Sequence, residues 1–143
     1  MRKRLLKRLL YIDSNVFIYP AIYDPDAIPE AARARARLQE IVSGSMEACT
    51  STLTWDEVAW VTRRLFGSQK AVAQGASFLR LPNLKLLKVD LEIISKAQTL
   101  LERYDLKPRD AIHAATAIAN GIDKILSYDE DFDILPNLTR ISP

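Results

Sequence analysis

The sequence is poor in the residues that much metal and nucleophile chemistry draws on: it has a single cysteine, Cys49, and a single histidine, His113, in 143 residues. One of each excludes a zinc site built mainly from histidine and cysteine. A Ser-His-Asp triad is equally without support, because no serine sits in a nucleophile-elbow context such as GxSxG. Cys49 lies in the run MEACTST, among small and apolar neighbours, which is the setting of a buried spacer rather than a nucleophile. Also missing is any stretch approaching the roughly 20 apolar residues of a membrane span. The opening MRKRLLKRLLYI has its apolar run broken by charges, stops at Asp13 and is followed by no small-residue cleavage site. A cytoplasmic protein is therefore expected. No internal repeat, low-complexity stretch or linker divides the chain, so one domain spanning 1–143 is expected, large enough to bury a core without disulfides.

Hydrophobic residues make up 48% of the chain and charged ones 27%, ordinary values for a folded protein. The formal net charge is +2, yet Arg2, Lys3, Arg4, Lys7 and Arg8 alone carry five positive charges, which leaves the remainder at −3. A basic arm at about 1–8 on a slightly acidic body suits a polyanion partner, and equally a solvated terminus. Chemistry in such a chain falls largely to carboxylates.

Short apolar runs alternate with longer amphipathic ones, the pattern of an α/β protein. RLLYI, ending just before Asp13, reads as a first buried strand. PEAARARARLQEIV reads as a helix opened by Pro29 and closed by Gly44, and MEACT as a second strand. The spacing predicts a helix over 54–66, with Trp55, Val58, Ala59, Val61 and Leu65 as its apolar set and Gly67 closing it, then a weaker helix over 69–79. LKLLKV is a strand, and LEIISKAQTLLERY a helix with Asp90 as N-cap. Pro108 opens RDAIHAATAIANG, a helix apolar nearly all round and hence buried. KILSY is the next strand and TRIS a candidate last edge strand. The alternation implies a mostly parallel sheet of about five strands between helical layers, with ligands expected outside the carboxyl ends of the strands.

That rule draws attention to particular acids. Asp13 directly follows the first strand; Asp129 follows KILSY, with Asp131 two residues on. Asp110 sits in the first turn of the buried helix and Glu57 in the first turn of the helix after the second strand. Each has an innocent reading: Asp13 in an Asp-Ser-Asn turn, Thr54 and Glu57 as a capping box, Asp110 on a helix dipole, Asp129 and Asp131 as solvated loop residues. Together they all fall on one predicted rim of the sheet. Two carboxylates about 4 Å apart repel by roughly 4 kcal/mol at an effective dielectric near 20, so a cluster calls for protons or cations. Hard oxygen ligands without a histidine–cysteine set point to Mg²⁺ or Mn²⁺, with one ion or two left open. Such a site can activate water and stabilise charge on a phosphodiester.

At these residues the chain resembles PIN domains, and the VapC toxins among them, from YIDSNVFIY through STLTWDEVAWV to LKPRDAIHAATAIANGIDKILSYDEDFD. The resemblance implies a three-layer sandwich around a central, mostly parallel sheet. It implies Asp13, Glu57, Asp110 and Asp129 as catalytic metal ligands, Asp131 as a secondary or alternative one, and Asn15 as a hydrogen bonder that shapes the site. It further implies Mg²⁺- or Mn²⁺-dependent endonucleolytic cleavage of RNA, a homodimer, and inhibition by a VapB-like antitoxin whose tail occupies the groove. Arg109, beside the site, is a candidate phosphate contact or a solvated charge. His113 is expected in a structural role, with substrate contact as the alternative; Trp55 and Trp60 are expected in the core or a dimer surface. Arg33, Arg35 and Arg37 spread around their helix and fit a solvated face.

Three other functions compete with the toxin reading. A housekeeping RNA-processing PIN nuclease would share its chemistry. A catalytically silent PIN-like module would bind RNA or protein but no site-specific Mn²⁺. A haloacid-dehalogenase-like phosphatase would use Asp13 as nucleophile, but that chemistry wants a second aspartate where Asn15 stands.

Overall fold

The computed structural model describes residues 9–143. The basic arm expected at about 1–8 lies outside the described residues. Five strands form one wholly parallel sheet: β1 (Leu10–Ile12), β2 (Ala48–Ser51), β3 (Leu84–Leu87), β4 (Lys124–Leu126) and β5 (Thr139–Ile141), in the order β3-β2-β1-β4-β5. Tyr11 of the central strand pairs with Cys49 on one side and Ile125 on the other. TRIS is the edge strand expected of it. Parallel neighbours require crossovers, and the helices that supply them cover both faces.

Strand alternation divides the core in two. Tyr11, Cys49 and Ile125 face one layer, formed by α5 (Leu91–Arg103) and α6 (Pro108–Ala119). Ile12, Ala48 and Leu126 face the other, formed by α1 (Ser14–Ile22), α2 (Pro29–Ser43), α3 (Leu53–Phe66) and α4 (Ser68–Leu79). This period of two along short apolar strands is what a doubly covered sheet demands. α6 is buried along most of its length because its alanines let it lie close to the sheet. α2 ends at Gly44, whose φ of 82° is the left-handed conformation that closes a helix and that glycine adopts without strain.

Two readings of α3 change. Its buried positions are Thr54, Val58 and Thr62, not the tryptophan-rich stripe. The threonine hydroxyls are satisfied locally, Thr54 with Thr50 at 2.6 Å and Thr62 with the Val58 carbonyl at 2.7 Å, so they are buried at little polar cost. Trp55 and Trp60 are 44% and 47% exposed, which places neither in the core. Trp55 lies over α4 where Gly75 leaves room: a Cβ there would stand 2.9 Å from the indole nitrogen. Nor is there a capping box at Thr54, since the N-cap is Thr52, without a side-chain bond, and Glu57 turns elsewhere. α1, which the sequence pattern did not reveal, begins at Asp13, whose carboxylate accepts from the Ser14 N–H. Among the described residues no helix is long and apolar enough to cross a membrane.

Candidate metal centre at the sheet switch point

Between β1 and β4 the strand order reverses, so the crossovers leave in opposite directions and open a crevice at the strands' carboxyl ends. Asp13 ends β1 there, and Ser127 and Asp129 follow β4. The first turn of α6 brings Asp110 from a third direction and the first two turns of α3 bring Glu57. Asp13, Glu57, Asp110 and Asp129 line one cleft of about 610 Å³, together with Asn15, Arg109, Lys107, Ser14, Ile18 and Tyr19. The sequence-predicted set is thus brought together. Asp131 is not among the residues that line this cleft, but it approaches Asp110 and Asp129.

Hydrogen bonds fix most of these side chains. Ser127 Oγ donates to Asp13 Oδ2 at 2.6 Å and accepts from Asn15 Nδ2 at 3.2 Å and from the Asp129 N–H at 2.9 Å. One serine therefore ties the two acid-bearing strand ends to Asn15. Asp129 Oδ1 accepts from the Asp131 N–H at 2.9 Å, capping a short 3₁₀ turn (Glu130–Ile134) anchored by buried Phe132. Arg140 on β5 forks onto Asp133 of that turn at 2.9 and 3.1 Å. Glu57 is held at both oxygens: Ser14 Oγ donates to Oε2 at 2.9 Å, and His113 Nε2 meets Oε1 at 2.5 Å. His113 is wholly buried; its Nδ1 lies 2.6 Å from the Tyr11 hydroxyl and its Nε2 3.6 Å from Asp13 Oδ1.

The electrostatics show the strain of this gathering. Burial pushes Asp13 above the usual carboxylate range, against the pull of His113, Ser127 and the Ser14 N–H. Asp110 is pushed up to about 7, by burial first and then by the charges of Asp129 and Asp13. Burial works against a charged His113, but its bond to Glu57 and the charges of Asp13, Glu57 and Asp110 outweigh that and raise its pKa. His113 thus stands between Asp13 and Glu57, and their negative charge favours its protonated form.

Three acids form a second group. Oxygens of Asp110, Asp129 and Asp131 lie within 4.8 Å of one another. Oxygens held by one divalent cation at about 2.1–2.5 Å stand up to about 4–5 Å apart across it, so this spacing suits a shared ion. Asp110 Oδ2 and Asn15 Oδ1 are buried and have no hydrogen-bond partner. Buried acceptors are rarely left so, and a cation is the partner that suits an all-oxygen set. The residues present fit Mg²⁺ or Mn²⁺.

Sequence reasoning names the acids and Asn15 but not the other side chains that hold them. Ser14, Ser127 and Tyr11 carry no signal of their own; only their neighbours in the chain, Asp13 and Asp129, mark them. The wholly buried ring of His113 fits the structural role expected of it rather than substrate contact. Asn15, given to Ser127 by its amide nitrogen, supplies no second acid beside Asp13, which leaves the phosphatase reading without its second carboxylate.

The fold has close counterparts among solved structures. VapC20 of Mycobacterium tuberculosis, described as a sarcin–ricin-loop-cleaving toxin, superposes with a TM-score of 0.69 at 20% identity over 90% of this chain and 96% of its own. VapBC2 from Rickettsia felis, bound to a DNA fragment from its promoter, gives 0.67 at 15% identity over 94% and 98%. DNA-bound VapBC from Salmonella typhimurium gives 0.66 at 16% identity over 93% and 96%. At such identities the likeness establishes the fold. Comparison with curated proteins found no match. The PIN domain model matches residues 10–138, nearly the whole chain, and the protein belongs to the PIN domain family.

Proposed function

We propose that the protein is a Mg²⁺- or Mn²⁺-dependent endoribonuclease, the toxin of a VapBC-type toxin–antitoxin pair. The observation that carries the reading is the convergence of Asp13, Glu57, Asp110 and Asp129 from four separate segments on one cleft, with an Asp110 oxygen buried and unpartnered. Nuclease chemistry is what the PIN family implies, and structural counterparts that are VapC toxins or VapBC complexes favour the toxin role and an antitoxin partner.

Asp13, Asp110 and Asp129 would hold the ion, with Asp131 assisting through the trio it shares and Glu57 completing the charge. When bound, Mg²⁺ or Mn²⁺ supplies Lewis-acid stabilisation of phosphodiester charge and an ionised water at neutral pH. The chain's own residues do the rest. Ser127 keeps Asp13 and Asp129 in register. Lys107 and Arg109, at the mouth, present cations where the flanking phosphates of an RNA strand would run. Asn15 lines the same cleft, and its side-chain carbonyl is buried without a protein partner. The exposed apolar side chains of α3 and α4, among them Trp60, Leu65 and Val72, favour a homodimer.

Cleavage of RNA oligonucleotides and their DNA counterparts tests the reading, using protein freed of antitoxin, with Mg²⁺, Mn²⁺ or EDTA. RNA cut only with metal, and left intact by Asp13→Asn and Asp110→Asn, is expected. Cleavage that persists in EDTA or in either variant would overturn it, as would none by folded, metal-loaded protein.

A further inference from the structure

We propose that His113 is a positioning residue for the metal centre: anchored at Nδ1 by Tyr11, it holds the Glu57 carboxylate at the wall of the cleft. The inference rests on the cation-site reading above and assigns to one buried side chain a part in it.

The geometry departs from that of a histidine merely accommodated in a core. Both ring nitrogens are engaged, and both partners are side chains rather than backbone carbonyls. Tyr11 lies on β1 and Asp13 follows that strand two residues later, still in extended backbone, so the anchor and the acid are close neighbours in the chain. His113 follows Asp110 by three residues on α6, so one helix carries both a site carboxylate and the ring behind the site. Glu57 comes from α3 and has three rotatable bonds to fix. Its bonds from His113 at Oε1 and Ser14 Oγ at Oε2 leave it one orientation. Tyr11, His113 and Glu57 thus form a buried chain linking β1, α6 and α3 beneath the carboxylates. The ring also stands 3.6 Å from Asp13 Oδ1, so its loss would leave Asp13 and Glu57 to repel each other across the gap. Partners of metal-site carboxylates outside the ligand set characteristically change metal affinity by about 10–100-fold when removed.

The chain has one histidine, so imidazole ¹⁵N NMR reports on this ring alone. In metal-free protein, an Nε2–H resonance slow to exchange and displaced by Glu57→Gln and by Tyr11→Phe is expected. Mn²⁺ binding, read by loss of the free-ion EPR signal, then separates function from packing. His113→Leu, which keeps bulk but no donor, is expected to weaken Mn²⁺ about tenfold. His113→Gln, whose amide can still donate to Glu57, is expected to recover most of that affinity, with thermal melts confirming that each variant is folded. A folded His113→Leu that binds Mn²⁺ like the parent would overturn the inference, as would an imidazole signal indifferent to Glu57→Gln. A parent protein that binds no Mn²⁺ would overturn the cation reading instead, and the response of the imidazole to Glu57→Gln would still decide whether His113 holds Glu57.

Discussion

Replacing Asp110 by asparagine should make the metal-free protein more stable at neutral and alkaline pH while removing its metal site. The carboxyl holds its proton in the folded chain up to about 7, whereas in the unfolded chain it ionises near 3.8. Between those values the folded state binds the extra proton. Stability therefore falls as pH rises through the window, and the penalty is complete above about 7. The separation of roughly three pH units corresponds to about 4 kcal/mol at 1.36 kcal/mol per unit. The carboxyl lines an open cleft and is only partly desolvated, and screening brings this down to about 2 kcal/mol. In a domain of this size that is about 4–8 °C in Tm. Thermal melts of parent and variant in EDTA should nearly coincide at pH 4 and diverge by that amount at pH 8, with the variant higher. With Mg²⁺ in hundredfold excess over its Kd the order should reverse, since the parent alone gains about 2.7 kcal/mol from binding. A variant no more stable than the parent in EDTA at pH 8, or a gap independent of pH, would refute the reasoning.

Other perturbations test the scaffold around the site. Arg140→Ala removes the fork onto Asp133 and a bond to the Ser127 carbonyl; it should cost about 1 kcal/mol, discounted for the half-exposed partner, and weaken Mn²⁺ binding by loosening the Asp129–Asp131 turn. Phe132→Ala empties a fully buried position beneath that turn and should cost about 3–5 kcal/mol in urea denaturation. Cys49, buried, with its thiol pushed up to about 12, should stay unreactive to a thiol reagent at pH 8 and react in full once the chain is unfolded.

The acids were legible because the parallel-sheet rule and the motif agreed: each follows a strand or opens a helix, and the structure puts all four on one cleft. Strands were legible as short apolar runs, and several helices because proline or glycine marks an end: Pro29 and Gly44 bound α2, Gly67 closes α3 and Pro108 opens α6. α1 was hidden because its residues, SNVFIYPAI, are apolar on every side, include Pro20, and follow an Asp-Ser-Asn that reads as a turn. The turn residue is in fact the cap. In α3 hydrophobicity does not mark the buried stripe. Threonines that bond their own helix or the adjoining strand face the sheet, and the tryptophans face outward. The Tyr11–His113–Glu57 chain was illegible for another reason, as its members lie 102 and 56 residues apart and meet only in the fold.

The claim on which the rest depends is that Asp13, Asp110 and Asp129 form one divalent-cation centre, and anomalous diffraction from a Mn²⁺-soaked crystal tests it most directly. A Mn²⁺ peak between Asp110 and Asp129, absent from crystals of Asp110→Asn, is expected. An empty cleft at a Mn²⁺ concentration that fills other sites, with Asp13 still bonded to Ser127, would contradict it.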